Sequence, residues 1–368
     1  MRIGIFLPNA TFDLPGSPEV GGIETFSLTI GEALQRLGHE VILFGGQPKA
    51  GRTHRPTTLT LELHPYWETK SIPDIGTRFQ RLVQRLHFGW SCRRAWAGRR
   101  CDLALLAKPF DWPVAWFWKR SRPELKVIMG FHGTDFFPGD HCFYHAVDAA
   151  FAVSQPIADR AEARVGKRPP LIPNPVDVDF FSPGPAQPPL DEWHLVTSGR
   201  LIGLKGFSQL LNALARLRDQ HHVRFRLSIA GDGPERAHLA AQISALGLDS
   251  QAMLCGLLNG PDLRDLLRTG HLYILPSIGL EAFSVSALEG ASVGLPLLLS
   301  DQVGLAGFLT DADVLTYTAR DLDALVAALK KLHDRRPDPA WSDPHARHDR
   351  IRAAFSAERV ARQILSLI

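Results

Sequence analysis

Gly279-Leu-Glu-Ala-Phe-Ser-Val-Ser-Ala-Leu-Glu289 is the stretch on which the fold reading turns. It follows the apolar run Leu272-Tyr-Ile-Leu-Pro-Ser277 and stops short of Gly294, so it reads as a buried strand feeding a helix. An apolar strand with no polar alternation is covered on both faces, which is the habit of parallel sheets. If the stretch is helical throughout, Glu281 and Glu289 stand about 12 Å apart along the axis and on broadly the same side. Taken alone, the two carboxylates are equally well read as ordinary solvated glutamates.

The same alternation runs along the whole chain. Candidate strands are Arg2–Pro8, Glu40–Gly45, Thr58–His64, Leu103–Ala107, Lys126–Phe131 and Ala149–Val153. A second series follows at His194–Ser198, Phe225–Ala230, Met253–Cys255, Leu272–Leu275 and Pro296–Leu299. Amphipathic segments such as Phe26–Leu37, Phe207–Leu217 and Leu322–Leu332 lie between them. Strands alternating with helices, twice over, predict an α/β chain of two Rossmann-like doubly wound domains. The proline-dense Asn174–Pro189 cannot sit inside a sheet and is expected to be a semi-rigid linker. The expected domains are therefore 1–180 and 190–350, with 351–368 as a terminal helical segment.

Composition narrows the class. With 368 residues, 45% apolar and 21% charged, the chain is a globular protein of more than one core. The opening Met-Arg-Ile-Gly-Ile-Phe-Leu-Pro8 is too short for a signal-peptide core, and no 18-residue apolar run occurs. Four cysteines without paired spacing give neither a disulfide framework nor a zinc site. A cytoplasmic protein is expected, peripheral on the inner face of the plasma membrane if it meets a membrane at all. Between Lys49 and Lys126 there are sixteen Lys/Arg against six Asp/Glu, while the remainder is net acidic. One basic face implies an anionic partner.

In open α/β sheets ligands bind beyond the carboxyl ends of the strands. After the first strand comes Gly21-Gly-Ile-Glu24, where two glycines let backbone approach an anion. The pattern is not GxGxxG, so a dinucleotide cofactor is not supported. After Lys126–Phe131 comes His132-Gly-Thr-Asp135, a histidine placed to present a neutral imidazole. After His194–Ser198 comes Gly199-Arg-Leu-Ile-Gly-Leu-Lys-Gly206, whose Arg200 and Lys205 suit a diphosphate clamp without a metal. Gly231-Asp-Gly-Pro-Glu235 reads chiefly as a sharp glycine turn. The span from Glu281 to Glu289 suits a nucleotide-sugar, its diphosphate near the helix N-terminus, where N–H groups and dipole favour anions. Each feature also has a plain structural reading, as turn glycines or solvated charge.

Together and in this order, these residues resemble the family-4 retaining glycosyltransferases of the GT-B fold. The resemblance rests on Gly21-Gly22-x-Glu24, His132-Gly133, Pro173-Asn174-x-Val176-Asp177, Ser198-Gly199-Arg200 with Lys205-Gly206, Gly231-x-Gly233-Pro234 and the Glu281/Glu289 pair. It implies two domains facing across a cleft, with a final helix near Ala353–Leu365 returning to the N-terminal domain. It implies that Arg200 and Lys205 hold the donor diphosphate, Glu281 the sugar and Glu289 the ribose. The backbone of Ala282, Phe283 and Ser284, with Gly21, Gly22 and Gly231, would line the donor. His132 and Glu281 would be the catalytic pair. The donor would be a UDP- or GDP-sugar, with no metal and no other cofactor. Asp177-Val-Asp179 looks like a metal-binding DxD but falls at the linker, away from the expected phosphate site. One departure stands out: the family usually has Glu-Gly-Phe-Gly where this chain has Glu281-Ala-Phe-Ser284, which bears on sugar identity.

On the acceptor side, Arg78–Arg100 reads as a basic helix interleaved with Leu82, Val83, Leu86, Phe88, Trp90 and Trp96. Arg78, Arg81, Arg85 and Trp90 are expected to face an anionic membrane, with Trp112, Trp116 and Trp118 as further anchors, and Glu24 and Asp135 to line the acceptor site. The expected activity is transfer of a hexose-type sugar to a glycan or lipid-linked acceptor of the cell envelope, a glycolipid, lipopolysaccharide or polysaccharide. The alternatives are a non-catalytic binding or assembly protein of the same fold, or a nucleotide-sugar epimerase. Nucleic-acid binding lacks a recognisable motif.

Overall fold

Short apolar runs bounded by glycine, proline and polar residues set the strands. The computed structural model describes residues 1–8, 21–47, 57–67, 72–73, 76–133, 135–185, 193–335 and 343–368. Among these, one parallel sheet contains β1 (Arg2–Leu7), β2 (Glu40–Gly46), β3 (Thr60–His64), β4 (Leu103–Leu106), β5 (Lys126–Phe131) and β6 (Ala149–Ala152). A second contains β7 (Trp193–Ser198), β8 (Phe225–Ala230), β9 (Ala252–Gly256), β10 (Leu272–Leu275), β11 (Leu297–Ser300) and β12 (Val314–Tyr317). The orders are β3-β2-β1-β4-β5-β6 and β12-β11-β10-β7-β8-β9. Counted from its own first strand, each sheet has the same dinucleotide-fold order, reversing between β1 and β4 and between β7 and β10. Such reversals are where adjacent crossovers leave on opposite faces and a crevice opens at the carboxyl ends. The inner strands β4, β10 and β11 are buried at every residue, as parallel strands covered on both sides must be.

The chain divides into two compact units. One runs up to Pro175 and includes Ala357–Ile368; the other is Val176–Ser356. In the first unit the helices are α1 (Gly22–Arg36), α2 (Thr77–Ser91), α3 (Arg93–Arg99), α4 (Trp112–Ser121) and α5 (Gln155–Val165). In the second they are α6 (Phe207–His221), α7 (Arg236–Ala245), α8 (Gly260–Arg268), α9 (Val285–Ser292), α10 (Leu322–Arg335) and α11 (Pro344–Phe355). Helix α12 (Ala357–Leu365) belongs to the first unit, packing against α1 through a face that buries Val360, Ala361 and Ile364. The expected terminal helix from Ala353 is thus two helices, broken at Ser356, which turns to ψ 144°. The last part of the expected linker lies outside the described residues.

Three further expectations change. The helix read over 78–100 breaks at Cys92 into α2 and α3. Strand β12 is a short, half-buried edge strand whose four residues Val-Leu-Thr-Tyr carry too weak a pattern to be read. The decisive stretch is helical only from Val285. Glu281 precedes it in extended backbone, bridged to Val303: its N–H donates to Gln302 O (2.9 Å), and its carbonyl accepts from Gly304 N (2.9 Å). The 12 Å helical spacing of the two glutamates therefore does not apply.

Candidate functional site

The second unit gathers most of the expected donor residues at its switch point. The loop after β7 is stitched to its neighbours by backbone. Leu201 N donates to Asp232 O and Glu235 N to Leu201 O, while Gly199 N donates to Ala230 O. Two glycines make this possible. Gly231 sits at φ 140°, and a Cβ there would lie 1.9 Å from Gly199 O. Gly206 sits at φ 71°, and a Cβ there would lie 2.0 Å from Pro276 O, in the loop after β10. Only glycine lets these loops close on each other.

That closure brings Lys205 to Glu281. Lys205 Nζ donates to Glu281 Oε2 at 2.7 Å, with side chains 14% and 26% exposed. Arg200, in the same loop after β7, is exposed and makes no side-chain hydrogen bond or ion pair among the described residues. Exposed Leu204 and Leu280 flank the ion pair, an apolar shoulder the sequence reading missed.

Helix α9 starts at the site with Ser284 as its N-cap. The hydroxyl accepts from Ala287 N at 3.3 Å, yet the backbone is at φ 84°, ψ 93°, a region that favours glycine. The departure noted in the sequence is thus a strained position. Phe283 turns its ring into a cluster with Phe308 and Phe355, centroids 5.8 and 6.3 Å away, so only its backbone is available to a ligand. Ala282 is half-buried. Glu289, half-buried on α9, sits on a helix held to β10 through Gly290, where a Cβ would fall 2.7 Å from the Tyr273 ring. Tyr273 itself was missed, because an aromatic in an apolar strand carries no site signal. Its hydroxyl donates to Ser198 O (3.0 Å) and accepts from Ser198 N (3.3 Å). Burial above all pushes its pKa up to about 12.

In the first unit, Gly21 caps α1 and its N–H donates to Glu24 Oε2 at 3.0 Å. Glu24 is buried, and its carboxylate occupies the α1 N-terminus. The Gly21 amide expected to meet a phosphate is therefore already taken, and Glu24 serves the helix; Gly22 begins α1. His132 lies just past β5, its ring 4.2 Å from that of Phe26 and 5.9 Å from that of Phe151. A Cβ on Gly130 would lie 2.7 Å from His132 Nε2, so glycine there leaves room for the imidazole. Both ring nitrogens are buried and have no hydrogen bond among the described residues. Burial pushes the pKa down to about 3; the adjacent Asn174 amide opposes this weakly without completing a bond, and Lys108 adds to it.

The basic helix is corrected in part. Arg85 is buried: its Nη1 donates to Asp111 Oδ1 at 3.0 Å and Oδ2 at 3.2 Å, and Asp111 is fully buried. Trp112 and Trp118 are core residues too, and Trp118 stacks on buried Trp96 at 3.9 Å. Neither Arg85 nor these tryptophans face a membrane. Arg78 and Arg81 are exposed, as are Phe79, Leu86 and Trp90 on the same helix, with the Arg93 guanidinium 3.8 Å over the Trp90 ring. Residues 79, 86 and 90 follow the spacing of one helix face. Asp135 pairs with Arg81 at 3.3 Å and with Lys108 at 3.8 Å. Asp177 accepts from Phe180 N and Asp179 from Arg352, so both aspartates of the DxD-like triplet serve structure. No helix among the described residues is long and apolar enough to cross a membrane.

Comparisons with known proteins follow the same division. Residues 20–180 match the family model described as Glycosyltransferase Family 4, and residues 181–349 that described as Glycosyl transferases group 1. A phosphatidylinositol N-acetylglucosaminyltransferase subunit of Arabidopsis thaliana is 29% identical over 221 residues, which is 59% of this chain and 48% of that protein. The chain spans less than half the length of the curated relatives it matches. Among solved structures, sucrose-phosphate synthase of Thermosynechococcus elongatus superposes with a TM-score of 0.80 at 18% identity, over 100% of this chain and 98% of that one. HepE of Anabaena, solved with UDP, gives 0.74 at 14% identity, over 100% and 99%. These likenesses establish the GT-B fold.

Proposed function

Because the chain belongs to the family-4 glycosyltransferases, whose two models together run from residue 20 to 349, we propose that it moves a hexose-type sugar from a nucleoside diphosphate-sugar to a hydroxyl of a cell-envelope glycolipid, lipopolysaccharide or polysaccharide. The observation that carries this reading is the Lys205–Glu281 contact at 2.7 Å, at the switch point of the second sheet, in the loop that also carries Arg200. Glu281 suits sugar hydroxyls, and Lys205 with Arg200 of the same loop suits a diphosphate. A UDP-sugar is the first choice of donor, since HepE was solved with UDP; a GDP-sugar is the second.

In the proposed reaction the bond from the sugar C1 to the diphosphate breaks and a bond from the acceptor oxygen to C1 forms. The acceptor hydroxyl attacks from the leaving-group face, with retention, and its proton passes to the departing diphosphate. Arg200, Lys205 and the α9 N-terminus stabilise the charge that grows on the leaving group. Glu281 orients the sugar. His132, neutral at pH 7, offers a hydrogen bond to a hydroxyl without introducing a charge. The exposed Phe79, Leu86 and Trp90, with Arg78, Arg81 and Arg93, suit the anionic surface of the inner membrane leaflet.

The test is a thermal titration of the full chain with UDP-, GDP- and ADP-sugars in EDTA. One nucleotide class should raise the melting temperature with concentration, and Arg200→Ala and Lys205→Ala should abolish the rise. No shift with any of the three overturns the donor-site reading.

A further inference from the structure

We propose that Lys108 and Arg81, drawn together by Asp135 at the carboxyl end of the first sheet, form an anion subsite that takes a phosphate ester of the acceptor. This inference rests on the glycosyl-transfer reading only for calling the ligand an acceptor. The three residues come from three segments. Lys108 lies just beyond β4, Asp135 just beyond β5 and His132, and Arg81 on α2. The order reversal of the sheet lies at β1 and β4, so Lys108 stands where a ligand of this fold is expected.

The cations here are unequally paired. Arg85, the third nearby cation, is consumed by Asp111 in a buried pair. Asp135 is left to serve two cations, Arg81 at 3.3 Å and Lys108 at 3.8 Å. A distance of 3.8 Å is an ion pair without a hydrogen bond, and among the described residues it is the only ion pair Lys108 has. Yet the Lys108 side chain is only 21% exposed. Burial, then the repulsion of Arg85, lowers its pKa, against the pull of Asp135, Glu24 and Asp111. A partly buried ammonium held by one long contact is under-coordinated. Such a shortfall is expected where a ligand completes the coordination. Arg81 and Asp135 are about half exposed, so the subsite is open to an incoming group. Beside it His132 has no hydrogen bond to either ring nitrogen among the described residues, which leaves the imidazole for a hydroxyl near that phosphate.

The experiment is a calorimetric titration of the full chain, saturated with UDP so that the diphosphate site is filled, using glycerol 3-phosphate and glycerol as paired probes. Glycerol 3-phosphate should bind and glycerol should not. Its Kd should rise about tenfold in Lys108→Met and in Arg81→Gln, as expected for loss of one charge-assisted contact. Lys108→Arg should retain most of the affinity, and UDP affinity should not move in any of the three. Lys108→Gln serves if the methionine variant fails to fold. A second arm floats the protein with phosphatidylcholine vesicles with and without phosphatidic acid. Lys108-dependent binding to the phosphatidic acid vesicles alone makes the phosphate a lipid headgroup; Lys108-dependent binding of glycerol 3-phosphate makes it that of a small acceptor. Equal binding of glycerol and glycerol 3-phosphate overturns the proposal, and so does phosphate binding untouched by Lys108→Met and Arg81→Gln. Absence of UDP binding with Lys108-dependent phosphate binding intact would remove the donor reading and leave this subsite standing.

Discussion

Ser284 is the residue at which the candidate donor site departs from low-energy backbone. A non-glycine at φ 84° costs on the order of 1–3 kcal/mol, while its cap to Ala287 N returns little that glycine would not. Ser284→Gly should therefore raise stability by about 1 kcal/mol in chemical denaturation, with unchanged folding cooperativity. The sequence disclosed the serine but not its φ, because dihedral strain has no signature in composition. His132 gives a pH prediction of definite sign. Its folded pKa is depressed to about 3, so the unfolded chain, titrating near 6.5, binds the proton first. The stability is full above about pH 6.5 and drains away as pH falls from there toward 3. His194, depressed to about 4 chiefly by burial, adds to the same limb. In His132→Phe the fall of unfolding free energy between pH 6 and 4 should be shallower by up to about 1.4 kcal/mol per pH unit. A slope equal to that of the parent protein refutes a neutral buried imidazole.

At the scale of elements, the loops after β7, β8 and β10 act as one body, locked where glycine lets backbone meet backbone. Gly206→Ala asks a Cβ to occupy space 2.0 Å from Pro276 O at φ 71°. It should cost roughly 2 kcal/mol or more and weaken nucleotide-dependent stabilisation as Lys205 moves off Glu281. The helix α2 separates two kinds of arginine that look alike in sequence. Arg85→Ala strands the buried Asp111 carboxylate and should destabilise by about 3–5 kcal/mol. Trp90→Ser with Leu86→Ser should leave the melting temperature within a degree or two and reduce sedimentation with anionic vesicles. Sequence periodicity located α2 but could not say which stripe faces inward, since arginine and phenylalanine occur on both: Arg78, Arg81 and Phe79 are exposed, Arg85 and Phe88 buried. In the same way the strand before Glu281 was legible from its apolar run. The delay of the helix to Val285 was not, because that start depends on the bridge to Val303, which is distant in sequence.

At the scale of the molecule, the alternation of strands and helices made both sheets readable, while the weak edge strand β12 and the break at Ser356 depend on tertiary pairing. Every expected donor residue except Gly21 and Gly22 falls within Val176–Ser356. That segment expressed alone should bind the same nucleotide as the full chain in a thermal titration; failure would show that the first unit is needed to form the donor site. The first unit is a different case, because α12 is synthesised after the whole of the second. Val176 N donates to Phe355 O at 3.0 Å, so the start and the end of the second unit are tied side by side. A ribosome emitting this chain therefore completes the second unit while the first still lacks the helix that covers α1. The first unit, begun first, can be completed only after the last residue of the second has been made.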